Sequence, residues 1–381
     1  MRMDGPGQWH DGRVRVVVHV GLTKTGTTHL QALLAAHREP LLAAGWLYPD
    51  LGPGTHFRAA ADVRRSAHLL GLDPSRVDGA WSALCAEARR HVEGTGGDVV
   101  LGHEVLAGAT TEQAVAALAH LDGLDVHVVV TARDLGRQAV AHWQERVKLG
   151  DTRSFATFEA EELRADSGRD AGPDAGGVRP RFWHGQDLAD TLARWTAGGA
   201  TGHLVVGPAP GAPREELWRR FAEGVGLPTG PDGPVDPALP VAGNPSLGAP
   251  EVALVREVNR LLAADEPPMS TEVHHRVVKR GWAEQELAAR SSTPPRTPAD
   301  LGPLLAAATH AWLGEVASAG HLVHGDPTDL DPVLAGPDDP PPDVPWPADV
   351  DPAAVADVLR ARAAGPAARR SRLPCRRSRP H

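Results

Sequence analysis

Val14-Arg15-Val16-Val17-Val18-His19-Val20-Gly21-Leu22-Thr23-Lys24-Thr25-Gly26-Thr27-Thr28 is the stretch that decides the fold. Its first half is a short β-branched run of the kind that suits a strand buried on both faces. Gly21 ends that run. From Thr27 the apolar positions Leu30, Leu33, Leu34 and Leu41 recur at helical spacing until Gly45. A buried strand, a glycine-containing turn and an amphipathic helix therefore follow one another directly.

The alternation repeats downstream. Helical patterns over 76–92, 111–121 and 135–148 interleave with strand patterns over 98–101 and 126–130. Leu188, Leu192 and Trp195 mark another helix, 203–206 a strand, and 214–224 a helix. Such alternation predicts an α/β fold with a mostly parallel sheet and helices in three layers, α/β/α. The stretches 164–181 and 226–250 are rich in Gly, Pro and Asp and read as surface loops. From 250 to 321 the pattern is helical, giving a helical C-terminal extension.

The 381 residues include 41% hydrophobic and 23% charged, which supports a sizeable core and excludes a wholly disordered chain. Two cysteines, Cys85 and Cys375, exclude a disulfide scaffold and a cysteine-rich zinc site. No HExxH or similar spacing marks a metal site, and none is expected. The net charge of −9 argues against general nucleic-acid binding. No run approaches the roughly 20 apolar residues of a membrane span, so a cytoplasmic protein without a membrane partner is expected. The expected organisation is a flexible N-terminus over 1–13, one domain over 14–335 with its helical part at about 250–321, and a disordered Pro-rich then Arg-rich tail over 336–381.

Between strand and helix, Gly21 to Thr28 is built for an anion. Glycines permit a tight turn, the helix start carries partial positive charge, and the Thr27 and Thr28 hydroxyls add donors. A Walker A loop needs lysine directly after the second glycine, but Thr27 stands there and Lys24 comes earlier. Lys24-Thr25-Gly26-Thr27-Thr28 after a strand instead resembles the 5′-phosphosulfate loop of the sulfotransferases that use 3′-phosphoadenosine 5′-phosphosulfate (PAPS), in particular a bacterial, sulfotransferase-like branch with the P-loop fold. Val128-Val129-Val130-Thr131-Ala132-Arg133-Asp134 matches the family's second element, an arginine just past a buried strand.

The resemblance implies that Thr23, Lys24, Thr25, Gly26, Thr27 and Thr28 hold the phosphosulfate and that Arg133 holds the 3′-phosphate. It also implies that Lys24 neutralises charge on the leaving phosphate, PAP being the product. The family has a serine eight positions after the arginine, where this chain has Ala141; Arg137, one turn beyond Arg133, or Gln138 is the substitute donor. The family's base is a histidine or glutamate after a strand, which points to Glu104 or His103 following the 98–101 strand, with Glu104 ahead. Lys279-Arg280-Gly281-Trp282 is similar to the family's segment that closes over the nucleotide.

The expected function is thus a PAPS-dependent sulfotransferase acting on a hydroxyl or amine of a small molecule or glycan. The alternatives are an atypical P-loop kinase or nucleotide hydrolase, which needs Mg²⁺ and a carboxylate such as Asp134, and a non-catalytic nucleotide-binding module. The acceptor, the pathway and the oligomeric state are not encoded in any motif.

Overall fold

The computed structural model describes residues 14–165, 181–241, 246–290 and 292–365. The expected N-terminal stretch 1–13, most of the 164–181 loop and the Arg-rich end of the tail lie outside those residues.

Six strands form one all-parallel sheet in the order β2-β3-β1-β4-β5-β6. They are β1 (Arg15–His19), β2 (Trp46–Leu47), β3 (Asp98–Gly102), β4 (Asp125–Ala132), β5 (Thr201–Val206) and β6 (Leu322–His324). β1 lies at the centre, with Val17 in register with Val100 of β3 on one side and with His127 of β4 on the other. Val16, Val17 and Val18 are all fully buried, so both faces of β1 are covered, as alternation of strands and helices requires. This is an α/β fold, consistent with three layers.

Three helices frame the ends of the central strands: α1 (Thr27–Ala36), α2 (Leu135–Lys148) and α3 (Glu216–Val225). Leu30, Leu33 and Leu34 of α1 and Leu217, Trp218 and Phe221 of α3 close over Val17, Val100, Val129 and Val205 in one apolar cluster. α2 occupies the span its periodicity predicts, and its cap is Asp134, whose Oδ1 accepts the Arg137 N–H at 2.9 Å.

The chain divides into two units that interleave along the sequence: 1–142, 160–244 and 297–336 make the first, and 143–159, 245–296 and 337–381 the second. The single body expected over 14–335 is therefore not how the chain divides. Its helical part is split, with Ala249–Ala263 in the second unit and Gly302–Ser318 in the first. The second unit has its own aromatic packing, Trp143 edge-on to Phe155 with ring centroids 5.4 Å apart.

The expectation of disorder over 336–381 is corrected for residues up to 365. Pro352–Ala363 is a helix capped by Asp351, which accepts the Ala353 N–H at 2.9 Å. Ala356 and Leu359 are buried, and Arg360 pairs with Asp265 at 2.9 Å. Composition missed this helix because its order comes from contacts with residues about 90 positions earlier rather than from its own apolar content.

Among the described residues no helix is long and apolar enough to cross a membrane.

Candidate functional site

The loop between β1 and α1 lies at the C-terminal ends of the central strands, where parallel sheets gather their ligands. It is laced to β4: the N–H of Val20 donates to Val129 O (2.9 Å) and that of Leu22 to Thr131 O (3.1 Å). By contrast, among the described residues the main-chain N–H groups of Thr25, Gly26, Thr27 and Thr28 donate to no protein acceptor. α1 has no side-chain cap at Gly26 and no acidic residue in its first turn. Unengaged main-chain donors at an uncapped helix start are the features that suit an anion.

Two conformations hold this shape. Lys24 has φ 66° and Gly26 φ 93°, both left-handed. For lysine that conformation is costly by about 1–2 kcal/mol, the kind of strain that collects at ligand sites. At Gly26 a methyl group would also strike the Leu217 side chain of α3. Gly26→Ala is accordingly expected to lose about 1–2 kcal/mol of stability, read as a lower urea midpoint at unchanged slope.

Not every threonine of the loop faces the anion site. Thr25 is buried, and its hydroxyl donates to Leu22 O at 2.7 Å. With that proton used, the 2.9 Å contact to Thr131 Oγ1 has Thr131 donating. Thr131 then accepts from His19 Nε2 at 3.3 Å, which places the ring proton of His19 on Nε2. His19 is fully enclosed, and burial lowers its pKa to about 4, so the ring is neutral and the relay is consistent with it.

Thr23 is held from the other side. Gln186 Nε2 donates to Thr23 Oγ1 at 2.8 Å, and Gln138 Nε2 to Thr23 O at 3.0 Å. Gln138 also donates to Gln186 Oε1 at 2.9 Å. Gln138 is thus a clamp on the loop rather than a free donor, and Gln186, in the segment Phe182-Trp183…Gln186-Asp187-Leu188 that also resembles the bacterial sulfotransferase-like branch, is its partner in that clamp. Thr27 is buried at the first helical position, while Thr28 is exposed.

Arg133 directly follows β4, two residues past the Thr131 that bonds the loop. It is half-buried and, among the described residues, makes no hydrogen bond or ion pair. Burial, and then the neighbouring Arg137, lowers its pKa to about 10, and it stays charged at neutral pH. A desolvated cation of this kind fits an anionic partner.

Arg137 already has partners. Its Nε is bonded to Asp134 Oδ2, and its Nη2 donates to Pro208 O at 3.0 Å. Asp134 is completely buried and accepts in addition from the N–H groups of Arg137 and Val333. Its oxygens are occupied by the fold's own donors, unlike a carboxylate kept open for a metal ion.

On the other side of β1, β3 ends in a short turn carrying His103 and Glu104. The buried Arg194 pins this turn by donating to Ala107 O at 3.0 Å, and Trp195 Nε1 donates to Leu106 O at 3.2 Å. The turn lies against the loop: a methyl group on Gly21 would come within 3.3 Å of Glu104 Cβ. Gln31 of α1 donates to Glu104 Oε2 at 2.7 Å.

His103 Nδ1 accepts the Val105 N–H at 3.2 Å, which leaves the proton of the neutral ring on Nε2. Burial lowers the His103 pKa, against the nearby Glu104 carboxylate, so the neutral ring is favoured. Both ring nitrogens are then spoken for, one as acceptor and one as a protonated donor. Glu104 Oε1 has no such engagement among the described residues, which makes Glu104 the better proton acceptor of the two.

The structure therefore brings Thr23 to Thr28, Arg133, Arg137, His103 and Glu104 to neighbouring strand ends of the first unit. Lys279 belongs to the second unit, where it pairs with Glu145 at 2.5 Å in the helical segment His275–Ala283. Among the described residues no cluster of three or more His, Cys, Asp or Glu side chains is placed to hold a metal ion. Neither the models of known protein families, nor the curated proteins, nor the solved structures give a match to this chain.

Proposed function

We propose that the chain is a P-loop sulfotransferase that uses PAPS and transfers a sulfuryl group to a hydroxyl or amine of a small molecule or glycan. The observation that carries this reading is the pairing of two anion-seeking features at adjacent strand ends: the uncapped start of α1 and the unpartnered Arg133. A nucleotide with phosphates at both the 5′ and 3′ positions has two anionic ends to match them. The loop's free N–H groups fit the 5′ end, and Arg133 fits the 3′ end. The Asp134 environment speaks for this reading over a magnesium-dependent kinase or hydrolase.

PAPS supplies the sulfuryl group, whose bond to the 5′-phosphate oxygen breaks as the acceptor oxygen bonds sulfur, with PAP leaving on the electron pair. Within this reading Lys24 and the Thr25 to Thr28 amides neutralise the leaving phosphate. Glu104, held by Gln31 through Oε2, takes the acceptor's proton on Oε1. Arg137 shares its guanidinium between Asp134 and the 3′-phosphate, in the place where Ala141 offers no hydroxyl.

Calorimetric titration with PAP, AMP and Mg-ATP tests the reading. PAP is expected to bind in preference to both others. Arg133→Ala is expected to weaken PAP by about 10–100-fold and leave AMP unchanged, the loss of one charge-assisted contact. Preference for Mg-ATP would instead favour the kinase or hydrolase, and binding of PAP without turnover a non-catalytic module.

A further inference from the structure

A cavity of about 580 Å³ opens on the outer side of Gln31 and His103, lined also by Thr28, Arg38, Tyr48, Asp50 and Phe57. Its size is that of a small-molecule site, for which about 300–1,000 Å³ is usual. We infer that this cavity is an acceptor site for a neutral, polyhydroxylated compound of the carbohydrate class, presented to Glu104. For the fate of the bound hydroxyl, the inference rests on the sulfuryl-transfer reading.

Tyr48, the single tyrosine of the chain, is 6% exposed, yet among the described residues its hydroxyl makes no hydrogen bond. Its ring is fixed between His56, stacked at 4.2 Å, and the Arg38 guanidinium at 5.3 Å. Burial, opposed by Arg38 and aided by Glu104 and Asp50, raises its pKa, so the phenol is a neutral group at physiological pH. A rigid hydroxyl on a nearly buried ring, without a protein partner and not itself among the sealed-off polar atoms, is placed to exchange a water for a ligand hydroxyl.

Three other polar groups on the wall are of the same chemical kind. Thr28 offers a hydroxyl, Gln31 its amide oxygen, and His103 its Nε2 proton. Arg38 and Asp50 are 3.3 Å apart and cancel, and Asp50 Oδ1 accepts the Gly52 N–H at 3.0 Å. Neutral donors and acceptors distributed over several walls match an array of hydroxyls, and Ala32, Ala35 and Pro53 between them give apolar surface for the C–H groups of the same ligand. Phe57, tilted against His103 with centroids 5.2 Å apart, gives the ring face on which the C–H side of a sugar packs.

The floor of the cavity joins the strand-end site. Gln31 and His103 both line it; Gln31 Nε2 donates to Glu104 Oε2 at 2.7 Å, and His103 directly precedes Glu104 in the chain. A hydroxyl lodged between them comes beside the carboxylate that would accept its proton.

Saturation-transfer NMR on the full chain tests the inference, using maltose, lactose and sucrose as neutral probes against p-nitrophenol and phenethylamine. PAP binding is measured in parallel by calorimetry. A neutral disaccharide is expected to take up saturation where the phenol and the amine do not. Tyr48→Phe is expected to weaken the sugar about 2–10-fold while leaving PAP affinity and the thermal midpoint as they were. PAP binding with the phenol or amine preferred, with no sugar bound, or with sugar affinity indifferent to Tyr48→Phe, overturns the carbohydrate inference and leaves the sulfotransferase reading standing. Sugar binding that responds to Tyr48→Phe without any PAP binding overturns the sulfotransferase reading and leaves the cavity assignment standing. Absence of both removes both.

Discussion

Glu104→Gln is expected to lower PAPS turnover by about 10²–10⁴-fold while the Kd for PAP stays unchanged. The substitution keeps the shape of the side chain, and its amide oxygen can still accept from Gln31, so the turn after β3 stays in place. What is lost is the oxygen that takes a proton. His103→Gln is the informative partner. Because His103 Nδ1 is engaged by Val105 and its other nitrogen is a donor, that change removes positioning rather than the base and costs far less turnover. The order of the two effects is the test. A Glu104→Gln protein with full turnover, or a larger loss in His103→Gln, would reassign the base.

The second large effect is on stability in acid. Burial lowers the pKa of His19 and His56 to about 4 and that of His203 to about 3, and it lowers His127 and His324 as well. His127, His203 and His324 form a row across β4, β5 and β6, with ring nitrogens 2.9 Å and 3.1 Å apart. In the unfolded chain each titrates near 6.5.

The folded pKa values lie below the unfolded ones, so between them the unfolded chain binds more protons and stability rises with pH. The contribution is whole above about pH 6.5 and shrinks as the pH falls toward 4. Each histidine that is neutral when folded and charged when unfolded contributes a slope of about 1.4 kcal/mol per pH unit. Three acting together approach about 4 kcal/mol per pH unit, against a total stability of about 5–15 kcal/mol for an ordinary domain. The first unit is therefore expected to unfold between about pH 5 and pH 4. Urea midpoints at pH 7.5, 6 and 5 check this, and a midpoint that does not move over that range would mean that the folded state holds these histidines charged. Since His19 heads the relay through Thr131 and Thr25 to Leu22, nucleotide binding is expected to decline over the same interval as stability.

What the sequence made legible is what is local. The valine run, the glycines and the apolar spacing of α1 are all set within some 20 residues, and Arg133-Asp134 followed its strand for the same reason. The span of α2 could be read because its apolar period is unbroken. The helix Thr55–Val63 was hidden in an alanine-rich stretch behind Gly52-Pro53-Gly54, and with it the cavity wall that carries Phe57. Gln186 reaches Thr23 across 163 positions, a relation that no periodicity records. Thr25 had the right residue type for a phosphate ligand, and only its inward hydrogen bond shows that its hydroxyl serves the loop instead.

The order of the strands has a consequence for the making of the protein. β1 is translated first but sits in the middle of the sheet, and its two edges are covered by residues 98–102 and 125–132. At about 5–20 residues per second a ribosome takes several seconds to deliver the first of these partners. Throughout that time a flat run of five residues, Arg15-Val16-Val17-Val18-His19, has both backbone edges open, and its valines await their cover. Nascent chains released before residue 98 carry a β-prone segment with no native strand to pair with, the condition under which chains join edge to edge. Synthesis of this protein is thus most exposed to aggregation between the emergence of β1 and that of β3 and β4, and chaperone dependence should fall away after it.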